Sequence, residues 1–314
     1  MTLPTALGPG REFDQIRAIW QRLGSRVRGV GDDAAIVTIG AERLALSCDL
    51  AVEDHHFKLD WLAPAELGWR ATAAALSDLA AVAAEPAGVL ASVGVPAERA
   101  GAFLTEVMDG VGNAAASVGA AVWGGDLVQC DRVILDLLVV GRVREAPVLR
   151  HGARPGDGVW VTGRLGAPHE AVQGWLAGTA PAPGARARYA HPVPRVREAR
   201  WLAERGATAM IDVSDGLVGD AGHVAAASEV AITIESEQVP LHSGAREWRS
   251  AVIGGEEYEL LVALPPGFGP DDAAAFAAAF DVPLTRVGAV AAGGGVTVRR
   301  GGQAIDVAGG FSHF

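Results

Sequence analysis

Apolar residues recur at helical spacing over residues 11–23, where Phe13, Ile16, Ile19, Trp20 and Leu23 fall on one stripe. VGDDAAIV then predicts a tight turn leading into an apolar strand, and RLALSCD (43–49) a strand that ends on an aspartate. Pro64 opens an Ala-rich helix that runs to about Ala84. Strands are expected at 91–96 and 132–143, with a second long helix over 97–118 and VWGGD (122–126) as a strand running into a glycine turn. A stretch rich in Pro, Gly and Arg at 145–157 has the composition of a linker. Beyond it the pattern predicts a strand at 159–163, a helix at 166–176, a loop over 178–194 and a helix at 195–205. It continues with strand 208–213, helix 215–228, strand 230–235, strand 258–264, an Ala-rich helix at 271–280 and strands near 284–290 and 296–298. Mixed strands and helices in two halves predict an α/β (α+β) class with two domains, 1–147 and 148–314.

Composition narrows the function. Twenty-six basic residues against 37 acidic ones give a net charge of −11, which argues against a nucleic-acid binder and suits a protein that collects divalent cations. Lys58 is the one lysine, so phosphate-binding designs built on a particular lysine lose their residue. Cys48 and Cys130 form neither a metal-binding spacing nor a disulfide framework. The opening residues lack an apolar signal core, and no uncharged run of about 20 apolar residues predicts a membrane span. A reduced, cytoplasmic setting is expected.

The aspartates carry the chemistry. Asp32 and Asp33 sit in the turn before a strand, Asp49 and Asp126 end strands, Asp78 interrupts the apolar run ATAAALSDLAAVAA, and Asp212 and Asp215 flank a strand-to-helix junction. A carboxylate in an apolar run is costly unless it is paired or binds a metal. Asp78 either faces a cavity or emerges on the wet side of its helix, and Ser214 or Asp215 could equally cap the helix that follows. Having five such places in one chain favours magnesium, which bridges a few carboxylates to substrate phosphates. The P-loop pattern, the protein-kinase set, a GxGxxG after the first strand, a GxSxG elbow and HExxH are all missing.

These segments, in this order, resemble the thiamine-monophosphate kinase family. The resemblance is carried by Val30–Ala35, Ser47-Cys48-Asp49 with Val52–Phe57, Leu76–Ala81, Gly124-Gly125-Asp126 and Asp212–Leu217. It extends to Arg150–Asp157, Val161-Thr162-Gly163, His191–Arg195, Gly254–Leu260 and Ser312-His313-Phe314. It implies the two-domain aminoimidazole ribonucleotide synthetase-like fold, in which an N-terminal ATP/Mg-binding domain pairs with its copy in a homodimer to form a β-barrel, beside a C-terminal α/β domain. By the same resemblance Asp33, Ser47, Cys48, Asp49, Asp78, Asp126, Asp212 and Asp215 are metal ligands for two or more Mg2+. Gly125, Asp126, Arg150 and Ser214 contact ATP, and His56, Glu256 and Phe311 contact thiamine monophosphate.

The implied reaction is direct in-line phosphoryl transfer from ATP to thiamine monophosphate, with no catalytic side chain beyond metal and phosphate positioning. Cys48 stands where the family usually has threonine, Ala75 replaces asparagine, Leu127 follows Gly-Gly-Asp in place of threonine, and Glu257 replaces aspartate. Two alternatives are a same-fold enzyme with another acceptor and a nucleotide-binding dimer without activity.

Overall fold

The structure, a computed structural model, describes residues 6–8 and 10–307. Helix α1 (Arg11–Leu23) precedes the hairpin β1 (Ala35–Ile39) and β2 (Glu42–Val52). Helix α2 (Pro64–Ala81), β3 (Glu85–Val95), α3 (Ala102–Ser117), β4 (Ala121–Gln129) and β5 (Ile134–Arg142) follow. They form a five-stranded sheet in the order β1-β2-β5-β3-β4, antiparallel except for the β3/β4 pair.

The later residues build β6 (Gly158–Thr162), α4 (Ala167–Leu176), α5 (Pro183–Ala190), α6 (Val196–Glu204), β7 (Ala209–Asp212) and α7 (Leu217–Ser228). They continue as β8 (Val230–Glu235), α8 (Trp248–Ile253), β9 (Leu260–Leu264), α9 (Pro270–Phe280), β10 (Leu284–Ala292), β11 (Gly295–Arg300) and β12 (Gln303–Ile305). Their seven strands order as β12-β11-β8-β10-β6-β9-β7.

Several elements differ from the sequence expectation. Strand β4 continues through the glycine pair to Gln129 instead of turning at Asp126, because it pairs in parallel with β3 along Gly88–Val95. The expected loop 178–194 holds α5, which starts on Pro183 at the first helical turn. The expected helix from residue 97 begins as a short 3-10 turn, and α3 proper starts at Ala102 behind the left-handed Gly101.

Helix α2 joins the two halves. It packs on β2 and β5 of the first sheet and also touches α5, α6 and β7 of the second half. Leu76 and Leu79 are fully buried on it. It crosses α3 so closely that a Cβ on Gly68 would stand 1.9 Å from the Val107 carbonyl oxygen, and one on Gly110 would stand 1.9 Å from that of Ala65. Only hydrogen fits at both places.

The five-stranded sheet is open within one chain, with β1 and β4 at its edges. Its inner face, from Ala45, Leu135, Leu137, Val139, Val89 and Val93, is buried under the helices. Its other face leaves Val37, Ile39, Leu50 and Val128 exposed. Among the described residues no helix is long and apolar enough to cross a membrane.

Candidate active site

Alternation along β2 sorts its polar residues. Successive strand side chains point to opposite faces, so Ser47 and Asp49 share the buried face of Ala45, and Cys48 shares the outer face of Leu50. On α2, Arg70, Ala74 and Asp78 recur every four residues and therefore lie on one stripe of the helix. The Ser47 hydroxyl donates to Asp78 Oδ2, tying β2 to α2.

Asp33 enters from the turn before β1, and Asp212 from the end of β7. Carboxylate oxygens of Asp33, Asp78 and Asp212 lie within 4.8 Å of one another. Arg150 Nη2 donates to Asp33 Oδ1 at 2.7 Å, and the Arg150 backbone N–H donates to the Asp32 carboxylate at 3.1 Å. Asp33 Oδ2 is buried without a hydrogen-bond partner. Burial, then the neighbouring Asp33 charge, pushes Asp212 up to about 8. Burial, followed by Asp212, Asp49 and Asp33, raises Asp78 well above the ordinary carboxylate range. Burial and then Glu256 push Asp49 up to about 6. Several carboxylates thus share a water-poor space with one guanidinium, and the orphaned Asp33 oxygen is a ligand atom in search of a cation. A hard divalent ion with oxygen preference fits this donor set.

Asp78 and Asp212 of this cluster line a cavity of about 620 Å3 together with Asp49, Ser214 and Asp215. The same cavity is lined by His56, Phe57, Lys58, Trp61, Tyr189, Glu256 and Tyr258. Those residues include both tyrosines and the single lysine of the chain. Glu256 and Tyr258 hold backbone φ angles of 69° and 52°, conformations that cost about 1–3 kcal/mol each unless the surroundings impose them. They are imposed here by backbone bonds to the segment after β7: Glu256 N–H donates to Ser214 O at 2.7 Å and Tyr258 N–H to Val213 O at 2.8 Å. Between them Glu257 is fully buried and accepts the Gly166 N–H.

A second group, Asp215, Asp220 and His223, also lies within 4.8 Å. Asp220 Oδ2 accepts the N–H groups of Asp215 and Gly216 at 3.2 and 3.1 Å, which caps the start of α7. His223 Nδ1 accepts the Gly8 N–H at 3.2 Å, and burial pulls its pKa down to about 4. His223 thereby holds Gly8, ahead of α1.

The structure therefore brings together Asp33, Ser47, Asp49, Asp78, Arg150, Asp212, Ser214 and Asp215, with His56 and Glu256 on the same cavity. It does not bring Cys48, Gly125 and Asp126 to them. Asp126 pairs through Ser92 and Asp136 with Leu50, three strand spacings or roughly 14 Å from β2, and shares the outer face. The Cys48 thiol donates to Asp136 Oδ1 at 2.9 Å, and partial burial with Asp136 pushes it up to about 11. Phe311 and the closing Ser-His-Phe lie outside the described residues. Arg70, Tyr189 and Tyr258 escaped the sequence reading. Arg70 had a usable signal, since it interrupts the same Ala-rich helix as Asp78.

The profile of the AIR synthase related protein N-terminal domain matches residues 31–143, and that of the AIR synthase related protein C-terminal domain matches residues 154–301. The chain belongs to the AIR synthase related family, a two-domain mixed α/β fold. Within it the sequence is 35% identical to the thiamine-monophosphate kinase of Mycobacterium tuberculosis strain H37Rv over 244 residues, 74% of this chain and 73% of that one. It is 32% identical to that of Methanopyrus kandleri over 291 residues, 90% and 89% of the two chains. A solved structure described as AaThiL complexed with AMPPCP and TMP superposes with a TM-score of 0.85 at 29% identity, covering 96% of this chain and 97% of that one. The chain thus falls among the thiamine-monophosphate kinases.

Proposed function

We propose that the protein transfers the γ-phosphoryl group of ATP to thiamine monophosphate, giving thiamine diphosphate and ADP. The observation that carries this reading is one cavity that joins a cluster of buried carboxylates to an aromatic wall bearing Glu256. The relatives of the chain are thiamine-monophosphate kinases, and the solved neighbour holds an ATP analogue together with TMP.

In this reading Asp33, Ser47, Asp49, Asp78, Asp212 and Asp215 hold two or more magnesium ions, Arg150 and Ser214 meet the nucleotide, and His56 and Glu256 meet the acceptor. Bound magnesium would neutralise charge on the transferring phosphoryl group. Arg150 keeps its guanidinium beside Asp33, where its fork geometry suits phosphate oxygens. An acceptor phosphate oxygen attacks the γ-phosphorus as the bond to ADP breaks. A phosphate monoester with a second pKa of about 6 is mostly dianionic at neutral pH, so no general base and no phosphoenzyme are required.

We further place the domain division at 147/148, the protein in the cytoplasm, and two copies in a homodimer. The open, apolar outer face of the first sheet supports the dimer. Cys48 and Asp126 lie on that face and Gly125 adjoins it in β4, so in this proposal they serve a nucleotide across the interface. Magnesium-dependent ADP release tests the acceptor. Strong stimulation by thiamine monophosphate supports the reading, and stimulation only by other acceptors, or by none, contradicts it.

A further inference from the structure

Arg70 is buried, with 5% of its surface exposed, in the Ala-rich helix α2. It does not line the large cavity. It borders a smaller one of about 50 Å3 that also touches His56 and Glu256. Its Nη1 donates to the Tyr189 carbonyl at 2.7 Å, and its Nη2 pairs with Glu256 Oε2. Its guanidinium carbon stands 3.7 Å from the centre of the Tyr189 ring. Tyr258 Oη donates to the same Glu256 oxygen at 2.5 Å. Tyr189 Oη in turn donates to the His56 carbonyl at 3.0 Å, and the Val52 N–H donates to His56 Nδ1 at 3.0 Å.

We infer that Arg70 is a positioning residue for the acceptor, holding Glu256 directly and His56 through Tyr189. This rests on the reading of Glu256 as an acceptor contact. Glu256 lines the cavity instead of packing in a core, so its carboxylate takes its direction from the groups that bond it. Both donors take Oε2, and the side chain keeps 30% of its surface exposed while lining the cavity. A guanidinium can serve a carbonyl, a carboxylate and a ring face at once, which an ammonium cannot. Arg70 and Asp78 are two helical turns apart on one face, roughly 12 Å, with Ala74 between them on the cavity wall. The helix therefore spaces Asp78 from Arg70, while Asp49 borders the acceptor hold.

The test measures KM for thiamine monophosphate, KM for ATP and thermal midpoint in Arg70→Lys, Arg70→Gln, Glu256→Gln and the Arg70→Lys/Glu256→Gln double variant. Losing a charge-assisted bond should raise the acceptor KM about tenfold or more in Arg70→Lys, with the ATP KM within about twofold of wild type. The double variant should fall short of the combined effect of the two single variants, because the Glu256 contact is shared and only the hold on His56 through Tyr189 is left to lose. Equal rises in both KM values, or additive effects in the double variant, overturn the inference and leave Arg70 a packing residue. An unchanged acceptor KM in Glu256→Gln overturns the reading of Glu256 itself. If Arg70→Lys does not fold, Arg70→Gln decides: an acceptor-specific rise supports the inference, and no rise overturns it.

Discussion

At the scale of single residues, the aspartates were legible because each interrupts a pattern that its neighbours set. Asp78 sits in an apolar helix and Asp212 at the end of a buried strand, and both reach one cluster. The hold on Glu256 was not legible, because Arg70 meets Tyr189 across 119 positions and no local pattern reports such a contact. Cys48 shows a third case: strand alternation places it opposite Asp49, which a list of motifs does not reveal. Glu257 carries a prediction of its own. Burial pushes it from 4.5 up to about 8, against the Gly166 N–H and Arg188, with Glu259 and Glu256 adding to the rise. An acid with a raised folded pKa binds its proton more tightly in the fold, so its contribution is intact below about 4.5 and is lost as pH climbs to about 8. Glu257→Gln should therefore gain in thermal midpoint over wild type progressively across that window, and level off above it. A gap that does not change with pH would contradict the assignment.

Among elements, α2 decides the site. It was readable as a helix from Pro64 onward, and its length was nearly right. Its partner was not readable, since the approach to α3 depends on Gly68 and Gly110 meeting backbone oxygens at distances no Cβ tolerates. Gly68→Ala should force the helices apart and cost about 1–3 kcal/mol, measured as a lower denaturant midpoint. An unchanged midpoint would mean the contact is looser than described. Helix α5 was hidden by its Pro- and Gly-rich start, yet it delivers Tyr189 to the cavity wall. Strand β4 was cut short by its glycine pair, although parallel pairing with β3 carries it on to Gln129.

Across the whole molecule, two mixed sheets with a shared helix between them make a cavity that neither half builds alone: Asp49 and Asp78 come from the first half, and Asp212 and Glu256 from the second. The two-domain class was legible from the order of strands and helices. The unpaired outer face was not, because an apolar strand such as β5 looks the same in a core and at an interface. Leu50 is 50% exposed on that face. Leu50→Lys should convert a dimer to monomer in sedimentation experiments while leaving the fold intact; a wild-type monomer at working concentration would contradict the proposed pairing.

One measurement tests the carboxylate cluster and phosphoryl transfer together. With γ-labelled ATP, magnesium and thiamine monophosphate, label should appear in thiamine diphosphate and never on the protein. In Asp78→Asn that product should fall by about a hundredfold or more. Label retained on the protein, or full transfer by Asp78→Asn, would contradict the account.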